Sequence, residues 1–122
     1  MSKIVIVCAT LVIFALSVNV ALSGMEYPPE MMEVSAPYPN ATITQTVKVP
    51  ENVMVGMESN DSLDQIFEFY KAQLTAKGWT INTELKQQEG YMLVAQKGSK
   101  NINIAIVQGG QSNITSIMMS LY

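Results

Sequence analysis

After Trp79 the hydrophobic period of the chain drops to two and stays there to the end. Four runs carry it: "WTINTEL", "YMLVAQK", "INIAIVQ" and "ITSIMMSLY". They are separated by "QQEG", "GSKN" and "GGQSN", which are rich in turn formers. Alternation over such lengths predicts strands. Connections this short join antiparallel neighbours, because a parallel crossover needs a dozen residues or more. The second half of the chain is therefore expected to be a four-stranded meander. Ile102, Ile104 and Ile106 share one face of the third run, whereas Met92, Leu93, Val94 and Ala95 make the second run apolar on both faces.

The stretch before the meander, "SLDQIFEFYKAQLTAKGW" from Ser62 to Trp79, has a different period. Leu63, Ile66, Phe67, Tyr70 and Leu74 recur at helical spacing and form one apolar stripe. Ser62 followed three residues later by Gln65 is a capping box. Gly78 and Trp79 supply a left-handed stop and its hydrophobic partner for Leu74. Asp61, Asp64 and Glu68 run along this segment. Capping, the helix dipole and solvation account for all three, so no chemistry is assigned to them.

Upstream, "ITQTVKV" (43–49) alternates with Ile43, Val47 and Val49 in phase, Pro50 ends it, and "VMVGM" (53–57) is a second short strand. The predicted fold class is α+β, one helix packed on an antiparallel sheet, with the element order β-β-α-β-β-β-β. A single helix covers a limited area. Val94, Val107, Ile117 and Met119 do not all fit beneath it, so the sheet either curls or leaves an apolar face open to another molecule.

The 122 residues suit one domain. Residues 1–23 have the layout of a secretory signal: Lys3, then the apolar run "IVIVCATLVIFAL", then small residues at Ala21 and Ser23 before Gly24. Cleavage near Ser23/Gly24 places the mature chain in a periplasm or outside the cell. Retention of the same segment would anchor it to a membrane. Residues 24–40, with four prolines, read as a Pro/Met-rich linker whose end packs through Tyr38, and 41–122 as the α+β domain. The one cysteine, Cys8, lies in the leader and the chain has no histidine. An exported domain without a disulfide fits a bacterial envelope better than a eukaryotic secretory route. The net charge of −3 opposes binding to nucleic acid or to an anionic membrane surface.

Tyr38, Pro39 and Ala41, then Asp61-Ser62, then Phe69, Tyr70, Leu74, Gly78 and Trp79 form the pattern Y-P-x-A, D-S, F-Y-x-x-x-L-x-x-x-G-W. The chain resembles in this a recurrent type of small exported bacterial domain, periplasmic or lipoprotein-like, of unassigned activity. Where that pattern has a glycine, this chain has Asn40. The resemblance implies fold and location and brings no catalytic residues with it.

Without histidine, and with no cysteine after the leader, the usual nucleophile–base pairs are missing, and the chain is not expected to be an enzyme. No cofactor is expected. The expected function is that of a binding or assembly module working through an uncovered sheet face or an edge strand, with a protein partner or a second copy of itself. Val94, Ile117, Met119 and Phe69 are the candidate contact residues. The alternative is a carrier of a small ligand or of a soft metal such as Cu(I), with the thioethers of Met25, Met31 and Met32 as ligands.

Overall fold

The computed structural model describes residues 26–109 and 113–122. The expected signal segment, its cleavage point and Met25 lie outside these. Two strands, β1 (Thr42–Val49) and β2 (Asn52–Ser59), precede a helix α1 (Leu63–Ala76). Four strands follow: β3 (Thr80–Lys86), β4 (Gly90–Lys97), β5 (Lys100–Gln108) and β6 (Thr115–Leu121). All six join one antiparallel sheet with α1 packed on it, so the fold is α+β. Across the sheet the strands do not follow the chain order. The spatial order is β1-β2-β6-β5-β4-β3, with β2 of the first hairpin paired to the last strand. That pairing puts β5 and β6 in the middle and makes β1 and β3 the two edges.

The helix begins and ends by side-chain and backbone capping. Ser62 Oγ accepts from the Gln65 amide at 3.2 Å, and Gln65 Oε1 accepts from the Ser62 amide at 3.0 Å, which completes a capping box. At the other end the Trp79 amide donates to the Leu74 carbonyl (2.9 Å) and the Gly78 amide to the Thr75 carbonyl (3.2 Å). Gly78 has φ of +85°, the left-handed conformation this stop requires. Ser62→Ala is expected to cost about 1 kcal/mol, read as a lower urea midpoint with an unchanged slope.

Leu63, Ile66, Phe67, Tyr70 and Leu74 turn inward from the helix. They meet Leu93 and Ala95 of β4, Ile102, Ile104 and Ile106 of β5, and Ile117, Met119 and Leu121 of β6 in one buried cluster. The helix does not cover this face alone. The stretch expected to be a linker folds onto it: a short 3-10 helix (Pro29–Glu33) and its flanks bury Met31, Val34, Ser35 and Tyr38. Trp79 Nε1 donates to the Glu33 carbonyl at 2.9 Å, and the Ala36 amide donates to Gln73 Oε1 at 2.9 Å. Segment and helix thus form one covering layer. The turn that leads from it into β1 has Asn40 at φ of +64°, a conformation that asparagine, after glycine, adopts most readily.

Both edge strands contain a register shift, between Ile43 and Gln45 in β1 and between Ile81 and Thr83 in β3. A shift of one residue sends every later side chain to the opposite face. Ile43 therefore packs on the core, while Val47 and Val49 point away from it, contrary to their expected common phase. Ile81 and Leu85 are separated in the same way.

Tyr38 Oη donates a 2.6 Å hydrogen bond to Asp61 Oδ2. Burial, and then this bond to an anion, push the Tyr38 phenol up to about 12. Burial also raises the Tyr27 and Tyr70 hydroxyls. A phenol held protonated by the fold contributes stability below its unfolded pKa of about 10 and loses it as pH rises to the folded value. Stability should therefore fall between pH 10 and 12. Tyr38→Phe should flatten part of that fall and cost about 1.5–3 kcal/mol at neutral pH, measured by urea unfolding across the pH series.

Candidate sheet-face interface

The strand register fixes which residues share the uncovered face. Partnered residues point the same way, so the face reads in rows across the sheet. One row is Thr83, Val94, Asn103, Ser120, Met54, Val47. The next is Leu85, Met92, Ala105, Met118, Gly56, Gln45. Val107, Ser116 and Glu58 belong to a third row at one end. Val47, Val49, Leu85, Met92, Val107 and Met118 account for six of the nine large apolar side chains exposed among the described residues, so exposed apolar surface is concentrated here.

Charge is distributed in the opposite way from an ordinary half-solvated sheet. The strand residues Lys48, Glu84, Lys86, Lys97 and Lys100 all lie on the covered side. There they meet the covering layer: Lys48 pairs with Glu30, Lys71 with Glu84 at 3.2 Å, Lys86 with Asp64 at 3.5 Å and Lys100 with Glu33 at 2.6 Å. Lys97 Nζ donates to the Lys77 carbonyl at 2.7 Å. The open side has Glu58 as its one charged strand residue among those described. An antiparallel sheet that only faces water alternates apolar-in with polar-out and usually has charges on the outer side. Asn103, on β5, adds a buried Oδ1 with no hydrogen-bond donor in reach.

The four contact residues expected from the sequence separate. Val94 lies on the open face, half-buried between Thr83 and Asn103. Ile117 and Met119 lie in the core at 1% and 0% exposure, because β6 pairs with β2 and β5 in the register that turns its odd-numbered residues inward. Phe69 is half-buried on the helix, edge-on to Tyr38 at 4.9 Å and to Tyr70 at 5.1 Å, so it widens the core instead of marking a contact surface. Met54, Met92, Ala105 and Met118, with Val47, Val49, Leu85 and Val107, are face residues absent from the expected contacts. Alternation within "IMMS" and "NVMV" showed two faces but not which one the helix takes.

Met31 and Met32 of the alternative metal site do not converge. Met31 is fully buried and Met32 is 44% exposed, so the two neighbours point to opposite environments, and Met25 lies outside the described residues. Among the described residues no three His, Cys, Asp or Glu side chains gather as metal ligands. Asp64 and Glu68 stand exposed on α1, with Asp64 facing Lys86. Asp61 is held structurally: its carboxylate accepts from Tyr38, its carbonyl from Thr115 Oγ1 at 2.8 Å. An open cleft of about 550 Å³ does exist at the end of the sheet, between the β1–β2 turn and the 3-10 helix. In its lining Glu30 pairs with Lys48 and Glu33 with Lys100, and Glu51 adds a further acid.

The chain belongs to the START domain-like family, whose model matches residues 39–113, more than half of its length. The match runs from the turn before β1 to just before β6. No curated protein matches the chain.

Proposed function

We propose that this protein is a non-enzymatic binding or assembly module whose working surface is the open face of its sheet. The observation that carries the reading is the inverted charge pattern. Four lysines and a glutamate of the strands are on the covered side, and exposed apolar groups are gathered on the outer one, among Thr83, Asn103, Ser116, Ser120 and Gln45. A large exposed apolar patch with polar residues around it marks an interaction site on a folded domain. The face is favoured over an edge strand because both edges contain a bulge, which disrupts the regular ladder a added strand would extend.

The module acts after export, with the leader removed near Ser23/Gly24, in the periplasm or exterior of a bacterial cell. If the leader is kept, it tethers the module to the membrane. Among the described residues no helix is long and apolar enough to cross one. The partner is a protein, and neither catalysis nor a cofactor is involved.

Val94→Lys tests this. The residue is half-buried on the open face, so a lysine stem can lie along the sheet with its ammonium in water. The variant should cost less than about 1 kcal/mol of stability. It should also lose the species that chemical cross-linking traps with the wild type in cells. A folded Val94→Lys variant that keeps the wild-type cross-links would overturn the open-face reading.

A further inference from the structure

We propose that the occupant of the open face is a second copy of the chain, two sheets stacked face to face about a twofold axis. The proposal rests on the reading of that face as the working surface and names its partner.

Area is the first argument. Six strands about 4.8 Å apart and about 25 Å long present roughly 700 Å². A stable specific interface buries roughly 800 Å² on each partner. One sheet face is thus the right size for one such partner, and a second sheet is the surface that matches its twist, at a spacing of about 10 Å.

Charge is the second. The chain has a net charge of −3, which opposes association of most of its surface with its own copy. The open face is where that opposition is least, because Glu58 is its one charged strand residue among those described. Glu58 lies on β2, off the midline, and at one end of the sheet. A twofold axis along the strands moves the mate's glutamate across to the other side of the sheet. An axis across the strands moves it to the other end. Neither stacks the two carboxylates. A strongly charged partner would find no complement on this face, whereas an identical face requires none.

Sedimentation equilibrium of the purified protein over a micromolar concentration series tests the proposal. The wild type should approach twice the chain mass. Ala105→Glu and Met92→Lys, both on the open face, should each weaken dimerisation at least about thirtyfold while melting near the wild-type temperature. A wild type that stays monomeric throughout overturns self-pairing, and so do folded variants that dimerise as tightly as the wild type. If a monomeric wild type has Met92 and Met118 shielded from oxidant in cells but not after purification, another molecule covers the face and the open-face reading stands. Equal oxidation in both settings removes that reading as well.

Discussion

Ile117→Lys is expected to unfold the protein, and Met118→Lys, one residue further on, to leave it folded and disable the open face. Ile117 is 1% exposed and packs in the cluster beneath α1. A lysine there strands an ammonium among Ile104, Ile106 and Met57 with no carboxylate placed to pair with it. Burying an unpaired charge costs well over about 4 kcal/mol, against the 5–15 kcal/mol that holds a small domain folded. Met118 lies between Ala105 and Gly56 on the open face and is 36% exposed. A lysine stem fits the same groove with its charge in water, at a cost within about 1 kcal/mol. Far-UV circular dichroism and urea titration should show a non-cooperative curve for Ile117→Lys and a near-native midpoint for Met118→Lys. Only Met118→Lys then reports on binding.

Trp79→Ala is expected to cost about 3–5 kcal/mol. Trp79 is 5% exposed and joins three parts of the covering layer. Its amide closes the C-terminal cap of α1 on Leu74, its ring fills the core, and its Nε1 donates to the Glu33 carbonyl of the N-terminal segment. Removing the ring leaves a cavity and releases that carbonyl from its donor. Urea unfolding gives the total loss. Amide hydrogen exchange should show the excess loss in the segment, with Val34 and Ser35 exchanging faster relative to the β5–β6 amides than in the wild type. Equal loosening of segment and sheet would mean that Trp79 acts through the core alone.

Local signals in the sequence were sufficient for the helix and for the positions of the strands. Ser62, Gln65 and Gly78 act within a few residues of themselves, and their chemistry is readable without knowing what lies across the fold. The faces were less legible. Alternation reports that Ile117 and Met118 point opposite ways, but which one is buried depends on the pairing of β6 with β2, more than fifty residues earlier. The bulges in β1 and β3 hid the phase of both edges, because a single extra residue reverses the rest of the strand. Val94 was placed on the open face by the apolar excess of its strand, while Ile117 and Met119 share that excess and pack inside. The Pro-rich stretch read as a linker because it has no period. Its core role lies in isolated side chains, Met31, Val34 and Tyr38, and the Ala36 amide and Tyr38 hydroxyl bond to distant Gln73 and Asp61.

The most direct test of the open face is methionine oxidation footprinting, comparing the protein in its native compartment with the purified protein at high dilution. Met92 and Met118 lie on the open face at 38% and 36% exposure, and Met32, on the N-terminal segment, is 44% exposed. If the face is the working surface, Met92 and Met118 are protected in the compartment and oxidised on dilution, while Met32 reacts alike in both. Oxidation of all three to the same extent in both settings would contradict it.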